Sequence, residues 1–193
     1  MEKKITGCVF DLDGTLADTA PDIAIALNNS LNDAGLRQVP LESVKEMIGN
    51  GIPVLVRRAL FHIEAPEDLA ADVITSMLAY SRQYYCEKSS LMNGVKDCLE
   101  GLKKRGIPMS ICTNKDETVA QMVVSALDLN SYFYAIVGSR PNLVKKPDPS
   151  MLQIAAEAIN SPIETTMMIG DSEVDAATGI AASSISVIVR GGY

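Results

Sequence analysis

The sequence is poor in soft metal ligands and in cross-linking chemistry. Its 193 residues hold one histidine, His62, and four cysteines, Cys8, Cys86, Cys98 and Cys112, none of them in a CxxC pair. That excludes zinc-site spacing and a disulfide framework, and a cytoplasmic location is expected. No apolar run is long enough to span a bilayer, so no membrane partner is expected. The start, MEKKITGCVFDL, has a basic flank, but its apolar stretch is too short for a signal peptide and is interrupted by Asp11. Positive charge is also scarce. Against 24 Asp and Glu there are 17 Lys and Arg, scattered along the chain, for a net charge of −7. A nucleic acid would find no electrostatic footprint here. There is no GxSxG, no Walker loop and no full GxGxxG, and His62 stands alone, which disfavours a Ser-His-Asp hydrolase. Internal repeats and low-complexity stretches are absent too.

What is present is a globular composition, 47% hydrophobic, ample for one domain with an inserted module. Five short β-branched or apolar runs, Ile5–Phe10, Pro108–Cys112, Ala135–Val137, Thr166–Ile169 and Ile185–Val189, predict strands. They alternate with helical patterns over Gly94–Arg105, Asp116–Leu129, Asp148–Ile159 and Ser172–Ala182. This is the α/β class, with a five-stranded parallel sheet flanked by helices and ligands expected at the strands' carboxyl ends. Residues 16–90 break the alternation. Ile23, Leu27 and Leu31 recur every four residues behind Pro21, Pro40 and Pro53 introduce further helices, and Pro66–Glu87 reads as the longest. A crossover needs only about a dozen residues, so this segment is expected to be a helical cap inserted after the first strand. Residues 1–15 and 91–193 would then form the core. Ser139–Val144 has no firm assignment. The sequence stops at Gly191-Gly192-Tyr193, just past the fifth predicted strand, which leaves one sheet face or edge poorly covered.

Four short motifs fall at the ends of predicted strands or the starts of predicted helices. Asp11-Leu12-Asp13-Gly14-Thr15 puts two carboxylates two residues apart as the chain leaves the first strand, and Gly14 permits a sharp turn. Thr113-Asn114 brings a hydroxyl and an amide to the end of the second, although such a pair is often only a helix cap. Lys145 and Lys146 precede Pro147-Asp148-Pro149, whose prolines stiffen the approach. Either ammonium could point inward, the position before proline being the more constrained. Gly170-Asp171-Ser172-Glu173-Val174-Asp175 places two acids one helical turn apart. Asp11, Asp13 and Asp171 beside a phosphate dianion would repel by about 4 kcal/mol per pair of unit charges about 4 Å apart at an effective dielectric of about 20. A divalent ion with all-oxygen ligands, assisted by a lysine, would supply the missing charge, and magnesium suits such a site.

In that order, the four motifs resemble the signature of the haloacid dehalogenase superfamily, over essentially the whole chain. The resemblance implies a Rossmann-like core and a magnesium-dependent phosphatase. Asp11 would be the nucleophile that forms an aspartyl-phosphate, and Asp13 the general acid and base. Thr113 would bind phosphate and Lys146 would steady the transferring charge. The magnesium ligands would be the Asp11 carboxylate, the Asp13 backbone carbonyl and the Asp171 carboxylate, supported by Asp175. Asp18–Asp22 and Gly49-Asn50-Gly51, followed by Leu55–Leu60, are similar to the phosphoglycolate phosphatase branch. That likeness implies a small phosphorylated metabolite bound by Thr113, Asn114, Gly49, Asn50 and Gly51, with Arg57 a candidate partner, in a monomer or homodimer. Two alternatives are a phosphomutase or phosphoryl-transferase using the same aspartate, which Thr15 disfavours, and a silent binding or scaffold protein on the same fold.

Overall fold

The computed structural model describes residues 4–193; residues 1–3, in the basic flank noted above, lie outside it. In chain order the strands are β1 (Gly7–Phe10), β2 (Ala17–Asp18), β3 (Ser90–Leu91), β4 (Met109–Asp116), β5 (Phe133–Ser139), β6 (Thr166–Gly170) and β7 (Ile185–Ile188). The helices are α1 (Ala20–Asp33), α2 (Leu41–Lys45), α3 (Ile52–His62), α4 (Ala70–Gln83), α5 (Val95–Lys104), α6 (Glu117–Ala126), α7 (Ser150–Glu157) and α8 (Glu173–Ala181). All five expected strands form one sheet in the order β5-β4-β1-β6-β7, and each neighbouring pair is parallel.

Alternation along the strands distributes two apolar layers. Cys8 and Phe10 of β1 and Met109 and Ile111 of β4 pack with Leu99 of α5 and Val119 and Val123 of α6. Val9 and Cys112 point the other way, onto Met151, Leu152 and Ala155 of α7. Every residue of β1 is buried, as a central strand covered on both faces requires. From β1 the chain builds outward through β4 to β5, then crosses back to add β6 and β7 on the opposite side. The strand ends on either side of β1 therefore diverge and open a crevice beyond their carboxyl termini.

Helices α1 to α4 have their own apolar centre, in which Leu27, Leu31, Val44, Val56, Leu60, Val73 and Met77 meet. The four-residue spacing of the α1 apolar residues supplies one stripe of it, and Pro21 and Pro53 sit in the first turns of α1 and α3. The long helix expected over Pro66–Glu87 is shorter: a 3-10 turn, Glu67–Leu69, leads into α4, which ends at Gln83. Beyond the helix end the chain is tethered to Asp22. Lys88 N (3.0 Å), Ser89 N (2.8 Å) and Ser89 Oγ (2.6 Å) all donate to that buried carboxylate. Beside this tether, β2 and β3 pair antiparallel, Ala17 with Leu91 and Asp18 with Ser90, where the chain enters and leaves the helical segment. Two-residue strands carry no periodicity, so no sequence pattern marks them. Ile180 of α8 and Ile188 of β7 are exposed.

Candidate active site

The carboxyl ends of β4, β1 and β6 hold the predicted motifs side by side. Asp11 follows β1, and its N–H donates to Ile169 O of β6 (2.8 Å), which continues the sheet pairing one residue past the strand. Its Oδ1 accepts from Leu12 N (2.7 Å) and lies 3.0 Å from Lys146 Nζ. Lys146 also donates to Asp175 Oδ1 (2.6 Å). All three side chains are buried. Burial raises the Asp11 carboxyl above the usual range, against the pull of Lys146. The two carboxylates hold the ammonium well above its ordinary value despite burial, so Lys146 is a fixed positive charge.

Of the two adjacent lysines, then, Lys146 faces the carboxylates. Lys145 turns toward the helical segment instead: a Cβ built on Gly51 would lie 2.7 Å from its Nζ. Burial lowers the Lys145 ammonium below its usual range. Among the described residues it has no ion-pair partner.

Asp171 ends β6. Its Oδ1 accepts from Thr15 Oγ1 (2.6 Å) and its Oδ2 from Tyr193 N (3.0 Å). Burial raises this carboxyl as well. Gly14, at φ +80°, brings the turn so close that a Cβ there would sit 2.4 Å from Asp171 Oδ2. Asp175 lies one turn into α8, where Ser172 and Asp175 form a capping box: Asp175 N donates to Ser172 Oγ (3.3 Å) and Ser172 N to Asp175 Oδ2 (3.2 Å), and Ser172 Oγ also donates to Asp175 Oδ2 (2.6 Å). Oxygens of Asp11, Asp171 and Asp175 lie within 4.8 Å of one another. Hard oxygen donors at that spacing fit magnesium. Both Asp175 oxygens are already engaged, by Lys146 and Ser172, which suits a supporting place better than a direct one.

The Asp13 carboxylate stands apart from that cluster and faces the cleft. Its Oδ1 accepts from Thr19 Oγ1 (2.6 Å) and Lys115 Nζ (2.9 Å). The turn that presents it is closed by Gly14 N to Ala17 O (2.9 Å) and Leu16 N to Leu12 O (3.0 Å). Lys115 and Thr19 were both missed from the sequence. For Lys115 the signal appears only with the structure, in which β4 runs on to Asp116 and carries the lysine to the strand end beside Thr113.

Thr113 is buried at the cleft wall. Asn114 lines the cleft too, but its amide is spent on main chain. Its Nδ2 donates to Gly49 O (3.0 Å) and Lys146 O (3.1 Å), and its Oδ1 accepts from Lys146 N (2.9 Å). It ties the lysine loop to the Gly49–Gly51 loop, and little of it is left for a ligand. Gly49 and Gly51 line the cleft together with Ile48, Ile52, Leu78, Tyr84 and Tyr85. Asn50 does not join them: its Oδ1 accepts from Arg58 Nη2 (3.0 Å). Arg57 is also directed elsewhere, donating to Pro53 O (3.1 Å) and lying 4.0 Å from Glu67. The cleft between the strand ends and the helical segment encloses a cavity of about 130 Å³ and opens to solvent. Among the described residues no helix is long and apolar enough to cross a membrane.

A parallel sheet with acidic and cationic groups gathered at its carboxyl edge defines an α/β protein with a hydrolase-like site. The profile of the haloacid dehalogenase-like hydrolases matches residues 8–189, and the chain belongs to that family. It is 36% identical over 190 residues to a phosphoglycolate phosphatase of Colwellia psychrerythraea, covering 96% of this chain and 84% of that one. It is 36% identical over 189 residues to a phosphoglycolate phosphatase of Cereibacter sphaeroides, covering 97% and 86%. The crystal structure of a predicted phosphoglycolate phosphatase from Haemophilus somnus 129pt superposes with a TM-score of 0.90 at 29% identity, over 100% of this chain and 88% of that one.

Proposed function

We propose that the chain is a magnesium-dependent phosphomonoester hydrolase that works through an aspartyl-phosphate on Asp11. The observation that carries the reading is the position of Asp11. It lies at the end of the central strand, 3.0 Å from a buried lysine and beside the Asp171 and Asp175 carboxylates. Asp11, Asp171 and the Asp13 main-chain carbonyl would hold the ion, which would neutralise charge on the transferring phosphoryl group. An Asp11 oxygen attacks phosphorus, the bond to the leaving oxygen breaks, and Asp13 gives that oxygen its proton. Asp13 then takes a proton from water, which attacks phosphorus and frees both phosphate and the Asp11 carboxylate. Thr113 binds the phosphoryl oxygens, and Lys146 holds the Asp11 carboxylate and offsets negative charge near it.

Residues 16–90 are read as a cap over this site, supported by their separate apolar centre and by the two glycines they contribute to the cleft. The named relatives and the Lys145 ammonium near Gly51 favour a small ester whose leaving group is itself anionic, phosphoglycolate being the first candidate. A panel of phosphorylated metabolites tests this. Release of inorganic phosphate with magnesium, lost in excess chelator, is expected, with small carboxylated esters preferred. Equal turnover with and without chelator would refute the metal-dependent mechanism.

A further inference from the structure

Tyr193 joins the two sides of the site. Its oxygen accepts from Thr19 N (2.6 Å) and Ala20 N (2.8 Å), and its hydroxyl donates to Asp18 Oδ1 (2.8 Å). Thr19 and Ala20 open α1, whose N-terminus has no acceptor from the Thr19 side chain. The phenol therefore fills the place of a helix cap from 174 residues away. The Thr19 hydroxyl is instead committed to Asp13 Oδ1 at 2.6 Å. The main chain of the same tyrosine donates to Asp171 Oδ2 at 3.0 Å. Gly192 lets it approach, since a Cβ there would lie 2.2 Å from that oxygen. Asp18 is also the residue paired with Ser90 where the chain enters and leaves helices α1 to α4.

We propose that Tyr193 is a positioning residue of the phosphoryl site, a latch whose phenol fixes the Asp18–Ala20 turn so that Thr19 holds Asp13, while its N–H fixes Asp171. The proposal rests on the roles given to Asp13 and Asp171 above, but the latch itself is a set of contacts that can be read without activity. Thr19 and Ala20 N–H groups have one acceptor in common, and without it they face a buried turn unpaired. The turn then shifts to find new partners and carries Thr19 away from Asp13.

Tyr193→Phe removes the phenol oxygen and keeps the main-chain N–H. In that variant, hydrogen exchange at the Thr19 and Ala20 amides should accelerate while the sheet amides stay protected. Turnover should fall roughly 5- to 100-fold, the range for leaving a buried donor unpaired. The loss should be the same for p-nitrophenyl phosphate and for a metabolite, in kcat rather than KM, because the latch touches no leaving group. Thr19→Val removes the hydroxyl that reaches Asp13, and the double variant should be within about threefold of the worse single one, since both cut a single chain of contacts. Unchanged exchange at Thr19 and Ala20 overturns the latch. Faster exchange with unchanged kcat, or losses that multiply in the double variant, overturns the positioning role and leaves the phosphatase reading intact. An inactive wild-type protein would overturn that reading, and positioning with it, whatever exchange reports.

Discussion

Replacing Lys146 with methionine should cost the metal-free protein a large part of its stability. The ammonium lies 3.0 Å from Asp11 and 2.6 Å from Asp175, with side-chain exposures of 1%, 9% and 0% for the three residues. At an effective dielectric of about 20, the two contacts are about 5.5 and about 6.4 kcal/mol of gross Coulomb attraction, most of it offset by the desolvation of three charges. The net cost of deleting one partner of a buried pair is about 3–5 kcal/mol, because methionine fills the space while Asp11 and Asp175 are left facing each other. For a chain of this length that is a fall in Tm of roughly 6–20 °C. Thermal denaturation of both proteins in chelator measures it. Two controls separate charge from packing: Asp175→Asn added to Lys146→Met should recover part of the loss, and magnesium should stabilise Lys146→Met more than wild type. A loss below about 1 kcal/mol in chelator, or no recovery by Asp175→Asn, would refute the reasoning that Lys146 is held by two buried carboxylates.

Two further outcomes follow from the same geometry. Burial raises Asp11 and Asp171 above the unfolded carboxylate value of about 4, so the folded metal-free protein keeps protons that the unfolded chain has released. Stability in chelator should therefore be full below about pH 4 as far as these groups go and decline as pH rises toward neutral, with magnesium reversing the decline; a Tm rising over that interval would contradict it. Gly51→Ala puts a methyl 2.7 Å from Lys145 Nζ at a φ of +82°, and Lys145→Met removes the ammonium. Both should lower kcat/KM for a carboxylated phosphoester more than for p-nitrophenyl phosphate, and equal losses would place this loop in the shared phosphoryl site instead.

The sheet was legible because each strand is a short apolar run bounded by turn residues, and the motifs were legible because they sit where those runs end. Strand length was less so. β4 continues past Cys112 through Thr113, Asn114 and Lys115, polar residues that hide an extended backbone, and the pairing of Asp116 with Ser139 is visible only in three dimensions. Side-chain allegiance was the least accessible. Asn114 and Asn50 read as ligand donors from their types, yet one binds the main chain of Gly49 and Lys146 and the other binds Arg58. Thr19, Lys115 and Tyr193 reach Asp13 or Asp171 directly or in relay across 6 to 102 residues of sequence for the Asp13 bonds and 22 for the Tyr193 bond to Asp171, separations no local pattern encodes. Residue type did not separate Lys145 from Lys146, although the resemblance pointed to Lys146; in the folded loop Lys146 is buried on Asp11 and Lys145 lies against Gly51.

The central claim is a covalent bond to Asp11, and trapping it is the most direct measurement. Asp13→Asn should still form the acyl phosphate from an activated ester but release it slowly, so rapid acid quench followed by mass spectrometry should find one phosphoryl group on the peptide containing Asp11. Asp11→Asn, folded to the same Tm within a few degrees, should carry none and should not turn over. Appreciable hydrolysis by a folded Asp11→Asn protein, or a phosphoryl group found on any other residue, would contradict the account.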